Sequence, residues 1–222
     1  MKFIQKNPEP DASIAWKQQA TEDWQPSWDN LQKPEKTIVH TALIVEQGHI
    51  CCYCGQRINQ AISHIEHFQP RTYYPDLSLS YNNFLASCPG YPEQQASKTS
   101  VARLPQEFCG QRKGSWFNLD LTISPLKSDC ASYFRYTGIG EISPSKDSTK
   151  EAAAEATIEN LGLNNLKLIR LRKAAIDAAM QGIETLTDED IQKLIDAYHR
   201  SDKLGKPTPF WAAVIYTLNQ LI

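Results

Sequence analysis

The chain has 222 residues, of which 41% are hydrophobic and 22% are charged, and its formal net charge is −2. This composition is typical of a globular protein and excludes a chain that is disordered throughout, while the slightly negative charge argues against a histone-like grip on nucleic acid. The first residues lack the apolar run of a signal peptide, and no stretch approaches the roughly 18 apolar residues of a membrane span, so we expect a cytoplasmic protein with no membrane partner.

Two helices are predicted before residue 49. Asp11 or Ser13 can cap a short helix that ends by Ala20, and Pro34 suits the first turn of a second helix that ends near Glu46. The predicted buried stripe of the second helix consists of Ile38, Ala42 and Val45. Three tryptophans in this region are interpreted as anchors for a partner surface: Trp16, Trp24 and Trp28.

Cys51 and Cys54 have the spacing of a zinc knuckle, which lets two thiolates bind one Zn²⁺, and Gly55 allows the tight turn that follows. The remaining ligands are expected to be Cys88 and Cys109, although 20 residues separate them. A redox Cys-x-x-Cys pair is the alternative, but it normally lies in a strand–helix context that is missing here.

The other two cysteines, Cys52 and Cys130, are predicted to be buried thiols without a catalytic role.

Residues 61–68 alternate in polarity and predict a strand, with His64 and Glu66 on one face and His67 on the other face or in a closing bend. Residues 70–80 and 89–108 are predicted loops, and a short helix or turn is predicted at 83–86.

Glu66 and His67 combine a carboxylate that can hold a divalent ion with an imidazole whose ordinary pKa, near 6.5, suits a general base at neutral pH. His64, two residues before Glu66, could be a further metal ligand. The alternative is an exposed polar strand edge with no chemical role.

The remainder of the chain is mostly helical by pattern. Phe134 to Gly140 predicts a hairpin, and helices are predicted near 150–161, 164–183, 188–202 and 209–222. Asn164 is the expected cap of the second of these helices, and Thr187 with Asp190 has the pattern of a capping box.

Several segments together carry a family resemblance. They are Gln47-Gly48 before Cys51-Cys52-Tyr53-Cys54, Ile65-Glu66-His67-Phe68-x-Pro70, Asn83 before Ser87-Cys88, Cys109-Gly110-x-x-Lys113-Gly114, Ile123-x-Pro125-Leu126, Leu161-Gly162-Leu163-Asn164 and Leu171-Arg172. In these segments the chain resembles the HNH endonucleases with a ββα-metal fold, and within them the HNH nuclease subunits of retron and Septu anti-phage defence systems.

The resemblance implies that His67 is the general base, that Glu66 holds the catalytic metal and that Asn83 braces the loop carrying the base. It also implies a structural zinc site at the four cysteines. Many HNH enzymes carry a second metal ligand directly after the last cysteine, where this chain has Gly110. His64 is the first candidate for the missing ligand, with Asn82 or a residue of 89–108 as alternatives.

A phosphate contact is expected at the two basic residues that follow, Arg112 and Lys113.

The predicted fold is α+β and mostly helical, with a small zinc-stapled ββα-metal core. Its predicted regions are an N-terminal helical region 1–48, a nuclease core 49–118, a strand and turn connector 119–148 and a C-terminal helical region 149–222. Within 49–118 there are six basic and four acidic residues, so this segment is more positive than the rest.

The predicted function is that of an HNH endonuclease that hydrolyses DNA or RNA, with structural Zn²⁺ and with Mg²⁺ or another divalent cation for catalysis. The resemblance further implies a defence effector whose partners are an ABC/SMC-like ATPase and, in retrons, the reverse transcriptase and its msDNA. The alternative is a non-catalytic zinc-stabilised adaptor that binds nucleic acid or protein, with Gly110 marking a degenerate site.

Residues 150–222 and the tryptophans are the expected docking surface, so removing 150–222 is expected to leave zinc content intact. A self-contained helical core is the alternative.

Overall fold

Helices and two short antiparallel hairpins alternate along the chain. The computed structural model describes residues 1–90, 107–200 and 202–222, and it is a mixed α/β structure that is about 43% helical. The helices are α1 (Asp11–Lys17), α2 (Glu35–Glu46), α3 (Cys109–Lys113), α4 (Ser148–Asn160), α5 (Leu166–Met180), α6 (Asp188–His199) and α7 (Trp211–Leu218). The strands are β1 (His64–His67), β2 (Phe84–Ser87), β3 (Phe134–Tyr136) and β4 (Ile142–Pro144). Within these described ranges, no helix is both long enough and apolar enough to cross a membrane.

The first hairpin carries the His/Glu segment. β1 pairs antiparallel with β2, so that His64 lies opposite Ser87 and His67 opposite Phe84. The predicted short helix or turn at 83–86 is wrong, because Phe84 begins a strand after a 3₁₀ turn at Tyr81–Asn83. All of β2 is buried, and a strand buried on both faces lacks the alternation that identifies a half-exposed strand.

α2 leads the chain into the knuckle, and its buried face differs from the predicted one. Val39, Leu43 and Ile44 are buried, whereas Ile38 is 38% exposed and Val45 is 56% exposed. The predicted stripe is therefore wrong at Ile38 and Val45. Consecutive residues of a helix with 3.6 residues per turn point about 100° apart, so their neighbours Val39 and Ile44 face the core instead.

Gln47, just after α2, ties this helix to β2. Its buried side-chain amide donates to Ile50 O at 2.9 Å and to Ala86 O at 2.8 Å, and it accepts from Ala86 N at 2.7 Å. These bonds pair the N–H and C=O groups of Ala86 on the edge of β2 that faces away from β1. The two-stranded sheet therefore has no unpaired main-chain groups at Ala86.

The cap of α5 lies one residue beyond its predicted position. The Asn165 side chain accepts from Lys167 N, while Asn164 exchanges two hydrogen bonds of 2.8 and 2.9 Å with the main chain of Ile142. The capping pattern at Thr187 is confirmed, since its side chain accepts from Asp190 N. Asn164 thus connects α5 to the second hairpin, in which β3 pairs with β4.

The C-terminal helices share a core with the knuckle. One continuous cluster of buried residues includes Val39 of α2, Cys51, Leu85 of β2, and Leu161 and Leu168 from the C-terminal helices. A smaller cluster between α5, α6 and α7 contains Ala179, Ile191, Ile195, Val214, Ile215 and Leu218. Apolar side chains of all four C-terminal helices are therefore buried within the chain.

The tryptophans pack internally. Trp16 is buried, and its ring meets the ring of Trp24 edge to face at 5.7 Å between centroids. Trp28 packs against His67 and Phe84. Trp16 is therefore enclosed in the fold, whereas Trp24 and Trp28 are only partly buried. For these two residues the docking surface stays a prediction.

Candidate functional site

The four cysteines predicted as zinc ligands lie together. The Sγ atoms of Cys51, Cys54, Cys88 and Cys109 are all within 4.8 Å of one another, and all four residues are buried. A tetrahedral zinc site with Zn–S bonds of about 2.3 Å needs sulfur atoms only about 4 Å apart, and Cys54 Sγ lies 4.0 Å from Cys88 Sγ. The group has the composition and the spacing of a structural zinc site.

The surrounding main chain supports this group. Gly55 has a φ of +79°, which a residue with a side chain rarely adopts, so it closes the knuckle turn. Cys88 N donates to Cys51 Sγ at 3.4 Å, and Gly110 N donates to Ser87 Oγ at 3.2 Å. Cys52 and Cys130 are buried as predicted and lie outside the group.

The thiols in the group differ in their readiness to ionise. Burial raises the pKa of Cys54 and of Cys109 well above the ordinary value. Burial also acts on Cys51, but hydrogen bonds from the neighbouring thiols, first of all Cys109, outweigh it and hold the pKa of Cys51 well below that value. One thiolate is therefore favoured, and binding of a cation would displace the protons from the others.

Glu66 is buried, and its two carboxylate oxygens have different surroundings. Oε1 lies 3.0 Å from Lys113 Nζ and accepts from the Tyr53 hydroxyl at 3.2 Å. Oε2 lies 3.5 Å from His64 Nε2. Burial raises the pKa of Glu66, but hydrogen bonding to His64 and the charge of Lys113 outweigh it, and the net pKa is lowered. One oxygen is thus held inside the protein while the other faces His64.

Gly110 borders this pair of side chains. A Cβ atom at residue 110 would lie 2.5 Å from Glu66 Oε2 and 3.0 Å from His64 Nε2. Real Cβ contacts are essentially never as short as the first distance, and the second is tighter than most, so Glu66 and His64 crowd the space that a side chain at residue 110 would occupy. The structure brings Glu66, His64 and Gly110 together.

His67 lies on the opposite face of β1 from Glu66, among aromatic rings. Its ring centroid is 4.4 Å from Trp28 and 5.0 Å from Phe84, and Nε2 is 3.0 Å from Ser78 O. A carbonyl oxygen only accepts, so Nε2 carries the hydrogen and the lone pair of the neutral ring is on Nδ1. Burial lowers the pKa of His67 although the bond to Ser78 O raises it. His67 and Glu66 are both buried, so at these two residues β1 is not the exposed polar strand edge of the alternative interpretation.

Asn83 connects both ends of the loop that follows β1. Its Oδ1 accepts from Gln69 N at 2.8 Å, and its Nδ2 donates to Gln69 O at 2.9 Å and to Leu77 O at 3.2 Å. Leu77 directly precedes Ser78, the acceptor of the His67 bond. The side chain therefore holds the loop in the shape that positions this acceptor.

A polar cavity of about 510 Å³ opens beside these groups, and its lining includes Glu66, His67, Gly110 and Arg71. The two basic residues expected at a phosphate lie elsewhere. Lys113 is buried against Glu66 and also donates to His67 O at 3.1 Å, while Arg112 Nε donates to Glu159 O at 2.9 Å. Residues 91–106, which include other candidates for the second metal ligand, lie outside the described residues.

Sequence reasoning missed three neighbours of the site: Trp28, Tyr53 and Arg71. Trp28 is distant in sequence, and nothing in its local pattern indicates that it packs on His67. Arg71 follows Pro70, four residues after the end of β1, and this position beside the His/Glu strand could have indicated a cation at the edge of the site.

No family model matches the chain. Over 147 residues the chain is 32% identical to a protein of Vibrio cholerae serotype O1 biovar El Tor that bears the name "Retron Vc95 putative HNH endonuclease". The matched segment is 64% of this chain and 65% of the relative, so the chain spans just under two thirds of the relative's length. Together with the clustered cysteines and the Glu66–His67 pair, this similarity supports an HNH-type nuclease.

Proposed function

We propose that this chain is a divalent-metal-dependent HNH endonuclease that hydrolyses phosphodiester bonds of DNA or RNA, with His67 as the general base. The observation that carries the proposal is the orientation of the His67 ring. Because Nε2–H donates to Ser78 O, Nδ1 is the nitrogen that takes a proton. His67 and Glu66 line one polar cavity, which is large enough for a phosphodiester group.

In the proposed reaction, His67 Nδ1 takes a proton from a water molecule as the water oxygen attacks phosphorus. The bond from phosphorus to the leaving oxygen breaks, and that oxygen is protonated from solvent. The lowered pKa of His67 keeps the ring neutral at physiological pH, which is the state that a base requires. Trp28 and Phe84 fix the ring plane, and the Ser78 bond fixes its tautomer.

Glu66 and His64 are the proposed ligands of the catalytic cation. The donor set is a carboxylate oxygen and an imidazole nitrogen 3.5 Å apart. The carboxylate suits Mg²⁺ and Mn²⁺, and the imidazole suits divalent transition-metal ions. When bound, such an ion would neutralise charge that builds on the phosphate. Lys113 and Tyr53 hold the other oxygen of Glu66, so that Oε2 remains directed toward His64.

The proposed biological role is that of an effector in bacterial anti-phage defence of the retron or Septu type, with an ABC/SMC-like ATPase and, in a retron, the reverse transcriptase and its msDNA. The support is the similarity to a protein named for a retron. The net charge of −2 also gives the chain little electrostatic grip of its own on a polyanion. Co-expression with the proteins encoded beside it, followed by size-exclusion chromatography, tests the assembly.

One observation favours the rival function of a non-catalytic zinc-stabilised adaptor: position 110 supplies no metal ligand. A nuclease cleaves nucleic-acid strands, whereas a non-catalytic adaptor does not, so a cleavage assay distinguishes the two functions. Purified protein is incubated with single- and double-stranded DNA and RNA in Mg²⁺, in Mn²⁺ and in EDTA. The nuclease is expected to cut at least one substrate with a divalent ion and none with EDTA.

The decisive variant is His67→Phe, which keeps a ring against Trp28 and removes the base. A loss of about 10² to 10⁴ in rate is expected. His199→Phe is the matched control, since His199 packs edge to face on Trp211 at 5.2 Å, away from the cavity. Folded His67→Phe protein that cuts at the wild-type rate would refute the assignment.

A further inference from the structure

The cavity lined by Glu66 and His67 needs a positively charged side chain if it is to bind the phosphates of a nucleic acid. The two basic residues predicted for this contact, Lys113 and Arg112, bind other parts of the protein instead. Lys113 is fully buried beside Glu66, and Arg112 is bonded to the end of α4. Within the described part of the chain, Arg71 is the lysine or arginine that lines this cavity.

The guanidinium of Arg71 is held without being neutralised. Its Cζ lies 5.3 Å from the centroid of the Trp28 ring, a cation–π contact that orients the group and leaves its N–H donors available. Its ion pair with Asp29 is long, at 3.6 Å, and the Asp29 side chain is 93% exposed. Such a surface pair contributes little, so a phosphate can compete with it.

Trp28 positions the cation and the base together. The same indole packs edge to face on His67 at 4.4 Å. A second cation, Lys36, lies 4.4 Å from the centroid of this ring. One ring therefore contacts the proposed base and two positive side chains, and of these two cations Arg71 lines the cavity.

We propose that Arg71, held on Trp28, binds the backbone phosphate next to the one that is cleaved, and that the nucleic-acid strand crosses this side of the site toward Lys36. The planar guanidinium matches two phosphate oxygens, which a lysine ammonium does not. The contact reads no base, so binding through it is independent of sequence. This inference rests on the proposed nuclease function, whose substrate path it specifies.

The test measures binding and cleavage separately. Binding of fluorescein-labelled DNA single strand, DNA duplex and RNA is followed by fluorescence anisotropy over a series of KCl concentrations, in the His67→Phe background so that no probe is cut. Arg71→Ala is expected to weaken binding about tenfold for every sequence. It should also lower the slope of log affinity against log salt by about 0.9 for duplex or about 0.7 for single strand.

Two further variants sharpen the result. Arg71→Lys is expected to retain the salt slope but to recover only part of the affinity, since it keeps the charge and loses the paired donors. Arg170→Ala removes the same charge from an exposed position on α5 and should behave like the parent. In protein with His67 intact, Arg71→Ala is expected to raise KM more than it lowers kcat.

The outcomes separate the two proposals. If wild-type protein cuts nucleic acid while Arg71→Ala matches Arg170→Ala in salt slope and KM, the Arg71 contact is wrong and the nuclease function stands. If Arg71→Ala lowers the slope but no variant cuts, the contact stands and the nuclease function is wrong. If wild-type protein neither binds nor cuts any probe at low salt, both are overturned.

Discussion

The ammonium group of Lys113 lies 3.0 Å from Glu66 Oε1, with the Lys113 side chain fully enclosed and that of Glu66 9% exposed. Removing the cation would leave the buried Oε1 of Glu66 with only the hydrogen bond from the Tyr53 hydroxyl. We expect Lys113→Met to lower the free energy of unfolding by about 3–5 kcal/mol at neutral pH. Chemical denaturation measures this, and the double variant Glu66→Gln/Lys113→Met should recover most of the loss. Wild-type stability in Lys113→Met alone would show that the pair is unimportant.

The same pair predicts a pH dependence. The pKa of Glu66 in the folded protein is below its ordinary value of 4.5. The ion pair therefore contributes fully above about pH 4.5, and its contribution is lost as pH falls through the lowered folded pKa. The stability difference between wild-type protein and Lys113→Met should narrow in that window. A difference that stays constant below pH 4 would contradict the assignment.

Much of the metal-binding chemistry could be predicted from local spacing. Cys51 and Cys54 are neighbours through a tight turn, so their convergence depends on few residues, and the strand through Glu66 follows from alternation. Lys113 could not be placed correctly from sequence, because a basic residue after the last cysteine fits a surface phosphate contact as well as a buried ion pair. The burial of both faces of β2 and the Trp28–His67 contact arise from packing between distant segments.

Zinc binding is expected at one ion per chain. Cys54→Ser should abolish it and destabilise the protein by more than about 4 kcal/mol, because the metal supplies folding energy to the segments whose four buried thiols it joins. Cys130→Ser is the matched control, since Cys130 is buried but outside the group. Elemental analysis and thermal melting report both quantities. Equal zinc content in the two variants would rule out the four-cysteine site.

Gly110→Ala tests where the catalytic cation binds. The added Cβ would lie 2.5 Å from Glu66 Oε2 and 3.0 Å from His64 Nε2, so the carboxylate must move. We expect Mn²⁺ affinity, measured by electron paramagnetic resonance, to fall about 10- to 100-fold with zinc content unchanged. Gly138→Ala is the control, because a Cβ there meets nothing within 4 Å. Unchanged Mn²⁺ affinity in Gly110→Ala would place the cation away from Glu66 and His64.

The C-terminal region is bonded to both halves of the cysteine site. Cys109 N donates to Leu161 O at 2.8 Å, and Phe210 N donates to Gly55 O at 2.9 Å. Arg172, one of the largest fully buried side chains, donates to the main chain at Gly140 and Leu163. The expectation that residues 150–222 can be removed without loss of zinc is therefore not supported by these contacts.

We predict instead that a chain ending at residue 149 loses its zinc, because the truncation exposes the core of the knuckle and removes the main-chain acceptor of Cys109 N, Leu161 O.

Since a truncated chain can fail for many reasons, Arg172→Met is the sharper variant. The substitution replaces a buried guanidinium by an apolar side chain, so the carbonyl groups of Gly140 and Leu163 lose their hydrogen-bond donor. We expect the free energy of unfolding to fall by about 2–5 kcal/mol. Arg170→Met, exposed on the same helix, should change stability by less than about 0.5 kcal/mol. Denaturant titration measures the free energy of unfolding of both variants, and elemental analysis measures the zinc content of the truncated chain. If Arg172→Met is as stable as Arg170→Met and the truncated chain keeps its zinc, the knuckle folds independently of the C-terminal helices.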